Sequence, residues 1–320
     1  MDTLIPKGTL LTIPREIIEM IIQLLENQDL ASILMTCKYL NDVCEHPKFW
    51  KKLEFNAMKI VSATSMCEKI VKKYSVKGVN EFRIYYPRND PQVNPNGFEN
   101  IDHCTARIMQ HLPKGIERLH FPIFLFKRAR NLLTHLQDFT ELKTLDMGNH
   151  IADFGKFEIW RRKHIDIKQM LKLLFASLKK LLTVKIHDCH GFLEETLEIL
   201  TSNNQNLKHV DASYCWSLDR PGLQSLSILE DLTDLKLVCC GAHDEDVCEI
   251  IQRCQNLKTL DVSWTNVTGT TLVKIYQSNP NIRVLNVIGC YGINYENLKD
   301  FTTNARFIQE LFIRFKLLIT

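Results

Sequence analysis

The chain holds 11 cysteines in 320 residues, yet no two of them are spaced C-x-x-C. That absence removes the most common signature of structural zinc and of thiol redox sites. The opening stretch "MDTLIPKGTL" has no basic segment followed by an apolar core, so no secretory leader is read from it. An odd number of cysteines without such a leader is expected to stay reduced, in the cytoplasm, the nucleus or both. The most apolar early run, "EIIEMIIQLL" (16–25), is too short and too acidic to span a bilayer. Charge of one sign is also missing. Lys and Arg number 40 against 37 Asp and Glu, well mixed and netting +3, so neither nucleic acid nor a membrane is expected as the main partner. No G-x-S-x-G, P-loop or H-E-x-x-H occurs, and nothing calls for a cofactor or metal. At 45% hydrophobic the chain is too apolar for disorder.

What is present is self-similarity. "NLKTLDVSWT" (256–265) is echoed by "NLKHVDASYC" (206–215) and "NIRVLNVIGC" (281–290). Each fits L-x-x-L-x-L-x-x-C with other apolar residues allowed. Nine copies begin at Val79, Ile116, Leu142, Leu181, Leu207, Leu232, Leu257, Ile282 and Ile308. Most follow one another at 25 or 26 residues, and two longer steps mark insertions around 87–97 and 150–164. Alternating apolar residues at the fourth and sixth positions predict a short strand. Apolar residues at helical spacing follow, such as Leu218, Leu223, Leu226 and Leu229. One strand and one helix cannot close a core, so neighbours must stack. The expected fold is an α/β solenoid or horseshoe, with a parallel concave sheet and outer helices. This pattern resembles the leucine-rich-repeat family, and cysteine at the ninth position (Cys189, Cys215, Cys240, Cys290) resembles its cysteine-containing subclass.

Residues 11–55 do not follow the repeat. Pro14 suits a first helical turn, and Ile17, Ile21, Leu24 and Leu25 form an apolar stripe. Asp29 is the expected N-cap of a second helix carrying Leu30, Ile33, Leu34 and Cys37. "EHP" (45–47) breaks a third helix, and "FWKKL" is expected to begin another short one. Such a small helical unit with large apolar residues implies a covering partner, which the solenoid itself could supply. The order Ile13-Pro14, Glu16, Ile17 to Leu25, Asp29-Leu30, Cys37-Lys38 and Trp50 resembles an F-box. The boundaries expected are a helical domain over 8–54 and a solenoid over 55–320 with about nine repeats.

Together the two resemblances imply a substrate receptor of an SCF-type cullin–RING ubiquitin ligase. The F-box would dock on the Skp adaptor through Ile13, Pro14, Ile17, Leu30 and Trp50. The bland reading of those residues is internal packing, above all for Trp50. The chain itself would be non-catalytic, and transfer would occur by proximity. The competing reading is a plain leucine-rich scaffold or inhibitor whose N-terminal helices only cap the solenoid.

Residues at repeat positions five, seven and eight point away from the core. Position five reads Asp146, Lys185, Asp211, Lys236, Asp261, Asn286 and Phe312. In-register strands lie roughly 4.8 Å apart, so these charges are expected to pair with one another. Positions seven and eight collect His187, Tyr214, Cys239, Trp264, Ile288, Arg314 and Phe315, with Val238 beside them. This apolar and aromatic stripe is the candidate substrate face. "WRRKH" (160–164) in the second insertion is a further candidate for an acidic or phosphorylated segment. The chain ends on "ELFIRFKLLIT", a strand with no capping helix, and an exposed apolar edge there is expected either to be paired with a partner or to reflect an incomplete sequence.

Two clusters resemble chemistry. "VCCGAHDEDVCEIIQRC" (238–254) has four cysteines and a histidine, but the repeat register spreads them over strand, core and helix, against the convergence zinc requires. In "KIHDCH" (185–190) the register turns Cys189 inward and His187 outward, so they cannot act as nucleophile and base.

Overall fold

The computed structural model describes residues 13–85, 98–121, 135–148, 165–187, 194–216, 218 and 220–313. The chain opens with three short helices, α1 (Arg15–Gln23), α2 (Asn27–Leu34) and α3 (Lys38–Cys44). Glu26 stands at the N-cap of α2, so Asp29 lies within its first turn rather than starting it. A single 3-10 turn, Pro47–Phe49, follows. The expected helix at "FWKKL" is a strand instead, β1 (Lys52–Asn56).

β1 opens a sheet of ten parallel strands in chain order. The others are β2 (Glu81–Tyr85), β3 (Arg118–His120), β4 (Thr144–Asp146), β5 (Thr183–Lys185), β6 (His209–Asp211), β7 (Asp234–Lys236), β8 (Thr259–Asp261), β9 (Val284–Asn286) and β10 (Glu310–Phe312). Nine of them coincide with the nine copies read from the sequence. The tenth copy is "WKKLEF" (50–55), with Trp50, Leu53 and Phe55 in the three core positions, all fully buried. The expected boundary after residue 54 thus falls inside β1. The first repeat's helix is α4 (Ala57–Tyr74).

Each pair is in register: Leu145 meets Val184, which meets Val210, then Leu235, Leu260 and Leu285. These central residues are buried, as are the sixth-position residues Ile186, Ala212, Leu237, Val262 and Val287. Helices pack on that side. α5 (Phe98–Met109) packs on α4, and the later helices Glu194–Asn203, Asp244–Arg253 and Gly269–Ser278 stack on their neighbours in turn. One hydrophobic core runs from Ile18 to Ala305.

Three polar devices tie the repeats together. The ninth-position thiols are buried and donate backward, Cys215 to the Ile186 carbonyl (3.2 Å), Cys240 to that of Ala212 (3.0 Å) and Cys290 to that of Val262 (3.1 Å). Thr265, in the same position, donates to the Val262 carbonyl at 2.6 Å. Desolvation pushes the Cys240 thiol up to about 12, so it stays protonated and able to donate. Asn204 and Asn279 close the ends of their helices and reach the preceding repeat. Asn279 donates to the carbonyls of Ile251 and Cys254 (3.1 and 2.9 Å). Asp244 accepts from the backbone and side chain of both Thr268 and Thr271, at 2.6–3.3 Å. It therefore caps the next repeat's helix, not its own.

Partial burial alone would raise the Asp244 carboxyl, but the four hydrogen bonds outweigh it and hold the group below its ordinary range. A depressed folded value stabilises the fold above the unfolded carboxyl value and stops doing so as pH falls through the folded one. Asp244→Ala is expected to lower unfolding free energy by about 1.5–3 kcal/mol near neutrality, the usual worth of hydrogen bonds to a charged group. In urea titrations the difference between the two proteins should shrink below about pH 4. A difference that stays constant down to pH 3 would refute the capping assignment.

Candidate functional site

The first candidate surface lies on the N-terminal helices. "EIIEMIIQLL" has its isoleucines in doublets four residues apart. In a helix this pattern makes two adjacent apolar stripes. Ile18 and Ile22 form the inner stripe, each 3% exposed. Ile17, Met20, Ile21 and Leu24 form the outer one, at 45, 61, 43 and 85%. The stripe at 17, 21 and 24 therefore faces outward, and on this helix the core is held by Ile18 and Ile22. Met35, after α2, is also exposed. Beside them Glu19 bridges Arg15 (2.9 Å) and Lys48, and the two cations hold its carboxyl below the ordinary range.

Of the residues expected at this surface, Pro14 is exposed, Ile13 is half-buried against the core and Ile17 faces outward. Leu30 and Trp50 are interior. The Trp50 indole stacks on Tyr74 with centroids 3.5 Å apart and planes 2° from parallel. Its Nε1 donates to the Cys44 carbonyl at 2.6 Å. Trp50 thereby clamps the end of α3 to the end of α4, which is the packing reading of this residue. Met20 was not singled out in the sequence; its signal was the doublet spacing around it, which leaves more apolar residues than one core face can take.

The second surface is the helix-free face of the sheet. Position five forms an unbroken in-register row, Glu54, Arg83, His120, Asp146, Lys185, Asp211, Lys236, Asp261, Asn286 and Phe312. At its N-terminal end the expected pairing occurs. Arg83 lies 3.6 Å from Glu54, Arg118 2.9 Å from Glu81, and His120 stands between Glu81 and Asp146 at 3.8 and 3.4 Å.

Further along, the ladder of alternating ion pairs gives way to a different arrangement. Asp146, Asp211, Asp261 and Asn286 each turn an oxygen to the backbone N–H two residues on, at Gly148, Ser213, Ser263 and Ile288 (3.0–3.1 Å). Asx turns of this kind begin the bend from strand to helix. They compete with cross-strand pairing, which is worth little on an exposed face.

The bend ends at position eight, where the backbone is left-handed: φ is 60° at Tyr214, 54° at Cys239, 59° at Trp264 and 75° at Gly289. The conformation is held because each position-eight N–H donates to the next repeat's position-seven carbonyl. Tyr214 donates to Val238 (2.7 Å), Cys239 to Ser263 (3.0 Å) and Trp264 to Ile288 (2.8 Å). Glycine is the residue that adopts this conformation without strain, and only the last of the four is glycine. The need for it at 289 is double, because a Cβ there would overlap the Trp264 indole, which lies across it.

The structure brings five of the expected residues together here. Tyr214 packs on His187 with ring centroids 4.7 Å apart. Trp264 leans the other way, over Gly289 and edge-on to Tyr291 at 6.1 Å. Cys239 and Ile288 are half-buried. Arg314, Phe315, Cys189 and the insertions 87–97 and 150–164 lie outside the described residues. Trp216 and Tyr291 are exposed at position ten of their repeats and extend the aromatic surface. They were missed because attention stopped at position nine.

The cysteine cluster is dispersed as the register implied. Cys240 and Cys254 are buried, Cys248 is half-buried on its helix, and His243 is the N-cap of that helix. Among the described residues no group of His, Cys, Asp and Glu is gathered to hold a metal. Among the same residues no helix is long and apolar enough to cross a membrane.

Residues 10–56 match a family model described as F-box-like. The match spans α1 to α3 and ends on the last residue of β1. Among solved structures, the chain is similar to one in the crystal structure of the Rad7 and Elc1 complex in yeast. The two share 11% sequence identity with a TM-score of 0.49, over 95% of this chain and 90% of that one.

Proposed function

We propose that the chain is the substrate-recognition subunit of an SCF-type cullin–RING ubiquitin ligase. The observation that carries this is α1, a two-sided apolar helix inside the F-box-like match. Its inner stripe, Ile18 and Ile22, already sits in the core, so the outer stripe of Ile17, Met20, Ile21 and Leu24 is free to meet a partner. A Skp-type adaptor is the partner that an F-box implies. On this reading Pro14 and Ile17 contact it together with Met20, Ile21 and Leu24. Leu30 and Trp50 act from behind by fixing the helices. The receptor itself does no chemistry and raises the local concentration of a bound protein near the conjugating enzyme. It works in the cytoplasm, the nucleus or both.

The helix-free face would hold the protein to be modified, through His187, Tyr214, Cys239, Trp264 and Ile288. Its support is energetic. Large side chains at left-handed positions cost about 1–2 kcal/mol each relative to a relaxed backbone. Strain kept at an exposed surface points to use of those side chains in binding. The second reading, a scaffold without ligase recruitment, would need the outer stripe of α1 to have some other occupant.

Two experiments test these statements. Ile21→Asp with Leu24→Asp should leave thermal stability unchanged, because both side chains face outward, yet weaken adaptor binding by at least about thirtyfold, as expected for central anchors. Undiminished co-purification with the adaptor would remove the ligase reading. Tyr214→Gly and Trp264→Gly should keep stability or raise it by up to about 1 kcal/mol, since glycine relieves the left-handed strain and gives back part in chain entropy. The same variants should lose proteins captured by the wild type when the proteasome is blocked. A marked fall in stability with capture intact would make the aromatics structural.

A further inference from the structure

The position-eight aromatics do not form a continuous wall. Tyr214 is drawn toward His187 in the preceding repeat, and Trp264 is drawn over Gly289 in the following one. They lean apart across the repeat between them, whose seventh and eighth residues are Val238 and Cys239, both half-buried. That leaves a notch two repeats wide with aromatic walls and a small apolar floor.

Lys236, the last residue of β7, stands three residues before Cys239 at the start of the bend, and is exposed. Its in-register neighbours are Asp211 and Asp261. Both carboxylates are engaged elsewhere. Asp211 accepts from the Ser213 N–H at 3.1 Å. Asp261 accepts from the N–H and Oγ of Ser263 (3.0 and 2.6 Å) and from Nδ2 of Asn286 (2.9 Å). Among the described residues no ion pair involves Lys236, whereas Lys185, the other position-five lysine, lies 3.7 Å from Asp146.

From the notch and this ammonium together we infer the chemistry of the bound segment. It is an extended stretch of protein carrying a large apolar side chain and a carboxylate within about three residues of it, the reach from the position-eight turn at Cys239 back to Lys236 at the end of β7. The apolar side chain enters between Tyr214 and Trp264 onto Val238 and Cys239. The carboxylate meets Lys236. The apolar contact supplies most of the affinity, and the charge sets direction and register. The inference rests on the reading of this face as the substrate surface.

The test uses the full chain in complex with its adaptor and a random displayed 12-residue peptide library as probe. Enriched peptides should carry Asp or Glu within about three residues of Phe, Leu, Trp or Met. For a synthetic peptide from that set, Lys236→Glu should weaken binding about tenfold through like-charge opposition, and replacing the peptide's acid by Lys should restore it. Binding should also quench Trp264 fluorescence, measured against Trp264→Phe to remove the signal of the other tryptophans. Enrichment of basic peptides, no enrichment at all, or binding indifferent to Lys236→Glu would overturn the inference. The two failures are separable. If Tyr214→Gly and Trp264→Gly abolish capture while Lys236→Glu changes nothing, the face stands and the proposed chemistry falls. If none of the three variants matters, the face itself falls.

Discussion

The whole molecule follows from one constraint: a single repeat leaves half of its backbone polar groups and one side of its apolar surface unsatisfied. Each strand needs a parallel neighbour on both edges, and each helix needs a neighbour on either flank. Inside the array the next repeat supplies both. At the N-terminal edge of the described residues α1 to α3 take the place of a preceding repeat. Asn27, buried, accepts a hydrogen bond from the Glu54 N–H of β1. Trp50 closes the last turn of the helical unit and also fills the first core position of the first repeat. The region matched as F-box-like is therefore also the solenoid's cap. Its inner apolar stripe is committed to that task, which is why a second, outer stripe on the same helix is informative.

The same constraint shapes the helix-free face. Short strands must reverse quickly into the helical side without losing the ladder, and the ladder is carried past each strand's end by the N–H groups of positions six and eight. Keeping the position-eight N–H aimed at the next repeat forces a left-handed backbone. Aspartate or asparagine at position five stabilises the bend by an Asx turn, which explains why these residues recur there and why Asp211 and Asp261 do not pair with Lys236 between them. Folding requirements thus settle positions five, six and nine. Position eight is where folding alone would prefer glycine and the chain mostly has something else.

Repeat register was legible in the sequence because a period of 25 or 26 recurs, and among the described residues it placed nine strands and the buried Cys215, Cys240 and Cys290. Three features escaped for definite physical reasons. The first repeat hid because Trp50 stands where other copies have Leu, Ile or Val, and because "WKKL" suits a helix as well as a strand by local propensity. The inner stripe of α1, Ile18 and Ile22, was not told apart from the outer one because adjacent doublets give two stripes that periodicity alone cannot rank. The charge ladder was overread because spacing fixes which residues are neighbours but not whether a carboxylate prefers a backbone N–H to a lysine. A direct role for Trp50 at a surface gave way for the same reason as the missing repeat: its register position makes it core.

Continuity of the core has a consequence for how the two surfaces work together. The buried cluster runs from Ile18 in α1 to Ala305 without a break, and β1 belongs to both the capping unit and the sheet. Among the described residues no linker intervenes between the outer stripe of α1 and the surface at Tyr214, Cys239 and Trp264. A flexible connection would spread a bound segment over many positions relative to the adaptor, diluting its effective concentration as the span lengthens. Parallel strands stacked in register instead fix the separation by their number, six strand-to-strand steps from β1 to β7. For a protein whose proposed contribution is position rather than chemistry, the hydrogen bonds of the core thiols, Asn279 and Asp244 between repeats are what preserve that separation. Changes far from either surface that loosen one inter-repeat junction would act on transfer by altering reach, with adaptor and ligand binding both intact.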